Sequence, residues 1–281
     1  MTRARITSAT VVTPCLNAEK LIARTAESVA GQTAVRSGRL ALQYVICDGA
    51  STDATVKVVD EIFEGRAEIV SRPDRGMYDA LAAGLRRATG EIVSYLNAGD
   101  FYSPTALDVV ADVLEGHSET SWVTGLTVGY NDRGQVIRAR LPCRYRRRLA
   151  RKALYGSPVA PWFMQQESTF WRHGLLAQVD LDELARYRLA GDTYLWHCFA
   201  RSAEPVLVES YLGGFSYHRG QLSTDLAAYR HEVDGLRRRA SPVELGLALF
   251  DRVEQWWPPR VRKWLSPRSL IRYSVEDGEW R

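Results

Sequence analysis

Hydrophobic positions in the first part of the chain form short apolar runs that alternate with segments of helical spacing. The runs predict buried β-strands over residues 6–13, 42–47, 68–71 and 91–96. The spacing between them predicts helices over residues 18–30, 54–63 and 77–88. Short strands that alternate with helices are typical of a parallel sheet built from right-handed crossovers.

Beyond residue 116 the pattern becomes less regular, after one more helix that Ser103 and Pro104 start and that runs to about residue 114. Strands are predicted over residues 122–130, 135–141, 165–171 and 205–210, with a hairpin turn at 131–134 and a glycine-rich turn at 213–220. Helices are predicted over residues 180–187 and 193–200, and again from residue 223. We therefore divide the chain into residues 1–116, residues 117–222 and a helical C-terminal extension over residues 223–281.

Two of the predicted strands end in a carboxylate: Asp48 follows the second strand and Asp100 the fourth. The carboxyl ends of parallel strands meet at one edge of the sheet, where open α/β sheets bind their ligands. Arg72 and Arg75 lie in the loop that follows the third strand. Since Mg2+ is held in proteins by a few carboxylates together with substrate phosphates, this edge could hold a metal and a phosphorylated ligand.

Composition narrows the class of protein. The chain has 281 residues, of which 46% are hydrophobic and 25% charged, and its net charge is +4, which are ordinary values for a globular protein. Cys15, Cys47, Cys143 and Cys198 form no C-x-x-C pair, which favours free thiols in a reducing compartment over a disulfide framework or a zinc site. No signal peptide is evident, and no apolar run approaches the ~20 residues of a membrane span. We expect a cytoplasmic protein.

Two function classes are disfavoured by what the sequence lacks. No G-x-G-x-x-G motif follows the first strand, which argues against a dinucleotide oxidoreductase. The modest net charge and the lack of a recognisable binding module mean that no nucleic-acid partner is expected.

Four motifs, in order along the chain, resemble the inverting family 2 glycosyltransferases of the GT-A fold, of the bacterial polysaccharide-biosynthesis type. They read V-V-T-P-C-L-N, V-I-C-D-G-A-S-T-D, R-P-D-R-G-M-Y-D-A-L and A-T-G-E-I-V-S-Y-L-N-A-G-D. Three later segments, Q-Q-E-S-T-F-W-R, L-A-G-D-T-Y-L-W and G-G-F-S-Y-H-R-G, extend the resemblance over about residues 6–220. It implies an α/β protein with a Rossmann-like, mostly parallel central sheet flanked by helices, a smaller acceptor-side β/α region and a helical C-terminal tail.

The resemblance also implies which residues bind a nucleotide-diphosphate sugar. Residues 1–116 would be the half that binds this donor, and residues 117–222 the half that binds the acceptor. Thr13 and Pro14 would line the base, and Asp48 would hydrogen-bond its edge. The remaining donor-binding residues would be Asn17, Arg72, Asp74, Gly76, Asp79, Asn97, Ala98, His218 and Arg219.

The resemblance further implies a metal ligand and a general base. Asp100 would be the metal-binding acid, with Mn2+ or Mg2+ as the cofactor. The run Asn97–Ala98–Gly99–Asp100 retains one carboxylate where the family has two or three, so we expect weak metal affinity, with the donor diphosphate supplying much of the binding. Asp192 would be the general base on the acceptor hydroxyl, and Glu167 is the rival for that role.

The expected activity is therefore transfer of a hexose or N-acetylhexosamine, with inversion, from a UDP-sugar to a glycan or lipid-linked glycan acceptor. A non-catalytic nucleotide-sugar-binding protein is the first alternative. A nucleotidyltransferase is the second, although the glycine-rich, basic signature expected near its first strand is missing.

Two basic regions leave alternatives open. The cluster over residues 144–151 fits a solvated face, or a site for an acidic or lipid-diphosphate acceptor. The tail over residues 247–270 interleaves tryptophans with arginines, which suits contact with an anionic membrane at the inner face of the plasma membrane. Packing of those tryptophans on the catalytic part or on a second subunit is the alternative, and the oligomeric state stays open.

Overall fold

A computed structural model describes residues 5–142, 144–217, 225–254, 256–258, 261 and 270–281. Its strands are β1 Ser8–Cys15, β2 Ala41–Asp48, β3 Glu68–Ser71, β4 Ile92–Tyr95, β5 Phe101–Tyr102, β6 Trp122–Thr124, β7 Thr127–Tyr130, β8 Val136–Arg140, β9 Thr169–Arg172, β10 Val206–Val208, β11 Gly213–Ser216, β12 Leu270–Ile271, β13 Tyr273–Ser274 and β14 Glu279–Trp280. Its helices are α1 Ile22–Ala30, α2 Thr33–Arg36, α3 Thr55–Phe63, α4 Met77–Leu85, α5 Ala106–Gly116, α6 Arg147–Ala150, α7 Leu181–Leu184, α8 Gly191–Phe199, α9 Leu226–Leu236 and α10 Pro242–Glu254. Two 3₁₀ segments, Gln166–Ser168 and His173–Gln178, flank β9.

Eight strands form the central sheet, in the order β12-β10-β6-β9-β4-β1-β2-β3. Strands β1, β2, β3 and β4 are parallel to one another, and β9 is antiparallel to both of its neighbours. Four strands, in the order β5-β11-β7-β8, make a second, smaller sheet. The expected fold class, a mostly parallel sheet flanked by helices with a smaller β region beside it, is confirmed.

The first strands form where the sequence is apolar on both faces of the sheet. In β1 every residue after Ser8 is buried, as expected of a parallel strand covered by helices on both sides. Gly84 lets α4 pack closely on this sheet, since a Cβ there would lie 2.4 Å from a methyl carbon of Val12. Two hydrophobic cores, one on each face of the sheet, result from this layering.

Three predictions for the second half were wrong in detail. The strand predicted over residues 122–130 is two strands, because the chain leaves the central sheet at Gly125 and joins the smaller sheet as β7. The turn predicted over residues 213–220 begins as strand β11. The strand predicted over residues 165–171 begins as a 3₁₀ turn, and only β9 pairs with its neighbours.

Close backbone approach, rather than turning, explains the glycines of β11. A Cβ on Gly213 would lie 2.1 Å from the carbonyl oxygen of Glu167, and one on Gly214 would lie 2.3 Å from the ring of Tyr130. Sequence reasoning attributes a glycine pair to a turn, whereas here each glycine makes room for a neighbouring strand or loop.

The basic cluster over residues 144–151 holds the C-terminal helices in place. Arg146 pairs with Asp251 through Nη2 at 2.5 Å, and Lys152 pairs with Glu244 at 2.8 Å. Arg148 also contacts Glu244, at 3.1 Å. Three cations of this region, Arg146, Arg148 and Lys152, thus bind α10, although the Arg148 side chain is still 57% exposed. An acceptor site at the cluster stays a prediction.

The part of the chain that the structure describes contains no helix long and apolar enough to cross a membrane. Cys15, Cys47 and Cys198 are buried free thiols, as predicted, while Cys143 lies outside the described residues.

Candidate functional site

A cleft of about 930 Å³ opens at the carboxyl edge of the central sheet and continues across the smaller sheet. Its volume is that of a site for a ligand of cofactor size. Nine of the residues predicted from the sequence line it: Pro14, Asn17, Asp74, Gly76, Asn97, Ala98, Asp100, Glu167 and Asp192. Thr13, Asp48, Arg72 and Asp79 do not, and His218 and Arg219 lie outside the described residues.

The carboxylate of Asp48 organises the loop that follows β2. It accepts hydrogen bonds from the Ser51 backbone N–H at 3.0 Å and from the Ser71 hydroxyl at 2.6 Å. Thr13 is equally buried, and its hydroxyl oxygen accepts a hydrogen bond from Tyr44 at 3.0 Å. Both side chains are thus held within the sheet and its loops and do not line the cleft. Contact of Asp48 with a nucleotide base stays a prediction.

Two acids with opposite pKa shifts lie where the chain enters α4: Asp74 in the loop before the helix and Asp79 in its first turn. Asp74 lines the cleft and accepts the Gly76 N–H at 2.8 Å, and burial raises the pKa of its carboxyl. Asp79 is bound by the Arg75 guanidinium at 3.2 Å, and this hydrogen bond lowers the pKa of its carboxyl. Asp79 therefore fixes the shape of the loop, and Asp74 is the acid that faces the cleft.

Asp100 is held rigidly at the cleft floor by groups from distant segments. Its Oδ1 accepts the backbone N–H of Ser216 at 2.7 Å, and its carbonyl oxygen accepts the hydroxyl of Thr25 at 2.7 Å. The Ser216 hydroxyl donates to the carbonyl oxygen of Gly99 at 2.7 Å. The strand end thus fixes the position of Asp100 along the chain, and β11 fixes the direction of its carboxyl.

Glu167 shares the cleft floor with Asp100, and the two carboxyl groups are close enough for one to donate a hydrogen bond to the other when it is protonated. The pKa of each is raised, chiefly by burial, and for Asp100 also by the charge of Glu167. Gln166 donates its amide N–H to Glu167 at 2.7 Å. Two buried carboxyls in contact are stable when they share a proton or when a cation lies between them.

Asp192 lies at the start of α8 and lines the cleft. Its Oδ1 accepts the Thr193 backbone N–H at 2.7 Å and the Tyr229 hydroxyl at 3.4 Å. Its own backbone N–H donates to the Tyr78 hydroxyl at 3.2 Å. Burial raises the pKa of the Asp192 carboxyl to about 7, with Glu167 adding to the increase.

Helix α9 positions the segment that carries Asp192, a feature that sequence reasoning missed. Glu232 Oε2 accepts the backbone N–H groups of Leu189 and Ala190, each at 2.9 Å, and Oε1 accepts that of Arg188 at 3.1 Å. Tyr229, one helical turn earlier, reaches the carboxyl of Asp192. No motif marks Tyr229 or Glu232, because both lie on an ordinary-looking helix about 40 residues beyond their partners.

The oxygen groups at the cleft floor suit a hard divalent cation. Among the described residues no cluster of three or more His, Cys, Asp or Glu side chains forms a complete protein cage. Asn97 Oδ1, however, is buried without a hydrogen-bond partner in the described part of the chain, and it lies on the strand end that leads to Asp100. Carboxylate and amide oxygens, completed by a diphosphate, are the ligand set that Mg2+ prefers.

Comparison with known proteins shows which family and which relatives this chain is similar to. The model of the protein family described as "Glycosyl transferase family 2" matches residues 10–172. A PGL/p-HBAD biosynthesis glycosyltransferase of Mycobacterium bovis (strain BCG / Pasteur 1173P2) is 27% identical over 274 residues, which span 93% of this chain and 95% of that protein.

Two solved structures share the architecture. S. aureus TarS 1–349 superposes with a TM-score of 0.59 at 14% identity, covering 96% of this chain and 76% of that one, and it has also been solved in complex with UDP-GlcNAc. The mannosyltransferase PcManGT from Pyrobaculum calidifontis, in complex with GDP-Man and Mn2+, superposes with a TM-score of 0.57 at 19% identity, covering 89% and 69%. At these identities the likeness establishes the fold.

Proposed function

The chain belongs to glycosyl transferase family 2, and we propose that it transfers a hexose or N-acetylhexosamine, with inversion, from a UDP-sugar to a glycan or lipid-linked glycan acceptor in the biosynthesis of a cell-surface polysaccharide. One observation carries this proposal. A single cleft joins a strand-end acid, Asp100, to a separate carboxylate, Asp192, on the opposite part of the fold. Inverting transfer needs charge stabilisation at the leaving group and a base at the nucleophile, on opposite sides of the sugar.

The donor end would be formed by Pro14, Asn17, Asp74 and Gly76, which line the cleft along the edge of β1 and the start of α4. A nucleotide with two phosphates fits the volume of the cleft and the fold. UDP-GlcNAc and GDP-Man, which are bound in the two similar structures, support a nucleoside-diphosphate sugar as the donor class.

We further propose that Asp100, Glu167 and the side-chain oxygen of Asn97 hold a divalent cation, Mn2+ or Mg2+. Glu167 would supply the second carboxylate that the run Asn97–Ala98–Gly99–Asp100 lacks, because its carboxyl contacts that of Asp100. A cation bound there would neutralise the charge that develops on the departing diphosphate.

Asp192 is better suited than Glu167 to act as the base. One of its oxygens accepts two hydrogen bonds, whereas Oδ2 has no partner among the described residues and is left to accept the proton of the acceptor hydroxyl. A pKa of about 7 places the carboxyl near the operating pH, where general-base catalysis is most effective. Glu167 is already engaged by Asp100 and Gln166.

A screen of nucleotide sugars tests the proposed function. Thermal unfolding and donor hydrolysis would be measured for UDP- and GDP-sugars, with and without Mn2+. At ~100 times its Kd a ligand contributes about 2.7 kcal/mol, so we expect the correct donor to raise Tm by roughly 5–10 °C. The increase should depend on Mn2+, and slow hydrolysis should accompany it.

The alternatives give different results in the same screen. A nucleotide-sugar-binding protein without catalysis would be stabilised by one donor and would hydrolyse and transfer none. A nucleotidyltransferase would be stabilised by a nucleoside triphosphate and would release pyrophosphate. If no nucleotide sugar changed Tm, the proposed donor class would be wrong.

We also propose that α10 attaches the enzyme to an anionic membrane. Leu245, Leu249 and Val253 share one side of this helix at a spacing of about one turn, and all three are exposed. Trp256, two residues beyond the end of α10, is 82% exposed. Arg260, Arg262 and Lys263 follow directly in the sequence. An exposed apolar stripe beside cationic residues is the pattern of an interfacial helix.

Because α10 anchors the basic cluster, point substitutions test attachment better than truncation does. Leu249→Ser with Trp256→Ser should abolish co-sedimentation with vesicles that contain anionic lipid. Val275→Ser, at an equally exposed apolar residue away from α10, should leave co-sedimentation unchanged. Equal pelleting of all three proteins, or pelleting of none, would contradict membrane attachment through α10.

A further inference from the structure

Strand β8 directs two arginines into the cleft. Arg138 and Arg140 both line it, although every residue of β8 is exposed. Within the part of the chain that the structure describes, neither guanidinium group has an ion-pair or hydrogen-bond partner. The arginines and lysine of the nearby cluster behave differently, since Arg146, Arg148 and Lys152 are paired with acids of α10.

Strand register places these arginines relative to the reacting end of the cleft. Phe215 on β11 pairs with Gly129 on β7, and Gly129 pairs with Arg138 on β8, so the three residues form one row across the smaller sheet. The residue after Phe215 is Ser216, whose backbone N–H holds the Asp100 carboxyl. Two strand spacings separate β11 from β8, which puts the backbone of Arg138 about 10 Å from the strand that fixes Asp100.

An aromatic surface lies between the arginines and Asp100. The rings of Phe215 and Tyr217 both line the cleft, with their centroids 4.9 Å apart. Gly129 leaves room for the Tyr217 ring, because a Cβ at that residue would lie 2.7 Å from it. The row therefore presents flat apolar surface next to Asp100, followed by positive charge at the far end.

This arrangement differs in charge from the rest of the cleft. Of the other charged side chains that line the cleft, Asp74, Asp100, Glu167 and Asp192 are acids, and Arg188, on the segment before Asp192, is the one further cation among the described residues. Acids suit a metal and a hydroxyl nucleophile, whereas a pair of exposed guanidinium groups suits a phosphate, which arginine binds bidentately. Because the donor end lies at β1 and α4, the arginines of β8 belong to the acceptor end.

We propose that the acceptor carries a phosphate group, which Arg138 and Arg140 bind while Phe215 and Tyr217 contact the ring or chain beside it. This inference rests on the proposed function, since it names the class of acceptor that the same site would take. The phosphate could belong to a lipid-linked phosphodiester or to a water-soluble phosphorylated sugar. Both sources share the chemistry that the two arginines recognise.

Binding of small phosphate esters tests the proposal without knowledge of the acceptor sugar. Phenyl phosphate and octyl phosphate would be titrated into the full-length protein, with benzyl alcohol and octanol as neutral counterparts. Saturating UDP and Mn2+ would be present throughout, so that the donor end is already filled. We expect each phosphate to bind at least about tenfold more tightly than its neutral counterpart, with a preference that weakens as salt is added.

Arginine variants identify the residues responsible. Arg138→Gln with Arg140→Gln should remove the preference for the phosphates. Arg133→Gln removes the same charge from the same hairpin but outside the cleft lining, and it should leave the preference intact. Tighter binding of octyl phosphate than of phenyl phosphate would indicate a lipid-linked acceptor, and the reverse order a soluble one.

Two results would overturn the proposal: equal binding of charged and neutral probes, or a preference that survives in the double variant. Failure of the proposed function is recognised separately. It would appear as an absence of UDP binding in the same samples, whatever the phosphate esters do.

Discussion

The proposed donor end and the proposed acceptor end of the cleft are built in different ways. Pro14, Asp48 and Asp100 each lie at or just beyond the carboxyl end of a parallel strand, so local secondary structure delivers them to one edge of the sheet. Glu167 lies in a 3₁₀ turn. Asp192 lies at the start of α8, and Glu232 of α9 accepts a backbone hydrogen bond from the segment just before it. The positions of Pro14, Asp48 and Asp100 along the sheet edge follow from the strands that carry them. The positions of Glu167 and Asp192 follow from contacts between segments that are far apart in the sequence.

This contrast predicts which substitutions affect binding of the donor and which affect transfer of the sugar. Asp192 accepts a hydrogen bond from Tyr229 of α9, 37 residues further along the chain, and Glu232 of the same helix holds the segment before it. The proposed acceptor end therefore needs α9 in place, whereas the proposed donor end depends on the first four strands and on β11, which fixes the direction of the Asp100 carboxyl. Substitutions on the two sides should separate binding of the donor from transfer of the sugar.

The largest expected effect is a loss in the rate of sugar transfer. Asp192→Asn removes the group that accepts the acceptor proton, and we expect transfer to fall by about 10²–10⁴-fold. Donor binding should be unchanged, because the donor end lies across the cleft. Steady-state transfer assays would measure the loss, and unchanged transfer would exclude Asp192 as the base.

The same variant should be more stable than the wild type at alkaline pH. Burial raises the folded-state pKa of Asp192, so its contribution to stability is full below the ordinary carboxyl pKa of about 4 and is lost as the pH rises from there through about 7. Asparagine removes that loss, and we expect Tm at pH 8 to rise by roughly 2–4 °C, corresponding to about 1 kcal/mol. Near pH 4 the two proteins should unfold at similar temperatures, and a difference that did not depend on pH would contradict the assignment.

A second substitution tests how strongly the ion pair between Arg146 and Asp251 holds α10 on the rest of the fold. Arg146→Met removes the ion pair of Asp251, which is 1% exposed, and leaves the charge of Arg144 to compensate in part. Since loss of one partner from a buried pair costs about 3–5 kcal/mol, we expect a loss toward the lower end of that range. Chemical denaturation would measure the loss. Replacing both residues, with Arg146→Met and Asp251→Leu, should recover most of it, and a double variant no more stable than the single one would show that the pair is not the cause.

The smallest expected effect is on the pH profile. Transfer needs Asp192 in its ionised form, so the rate should rise with pH through a midpoint of about 7 and then level off. The Tyr229 hydroxyl stabilises the charged carboxyl and lowers its pKa, so Tyr229→Phe should move the midpoint to higher pH. At neutral pH the rate would fall a few-fold and would recover at pH 8–9, whereas a loss independent of pH would show a purely structural role.

The difference between residues placed by regular strands and residues placed by distant contacts also explains which features the sequence predicts. Strands β1 to β4 were predicted within a few residues, since buried parallel strands are continuous apolar runs. The split between β6 and β7 was missed, because no local pattern marks the point where a chain changes sheets. Gly213 and Gly214 were assigned to a turn, although close backbone contact is what requires glycine there.

The residues of the candidate site divide in the same way, into those that sequence motifs identify and those that only the fold brings together. Motif order was sufficient to select Asp100 and Asp192, and the structure brings both into one cleft. Glu232 and Tyr229 could not be found, because their contacts with the segment before Asp192 span about 40 residues and leave no periodic trace. The contact between Glu167 and Asp100 was missed for the same reason, since it depends on how a 3₁₀ turn docks on a strand end.

One measurement tests the central claim most directly: calorimetric titration of UDP, in the presence of Mn2+, into the wild type, Asp100→Asn and Asp192→Asn. If the donor and acceptor ends are separate as described, Asp100→Asn should weaken UDP binding at least about tenfold, as expected when the ligand set of a metal is disturbed. Asp192→Asn should bind UDP like the wild type. Equal weakening in both variants, or normal binding by Asp100→Asn, would contradict the division of the cleft into a donor end at Asp100 and an acceptor end at Asp192.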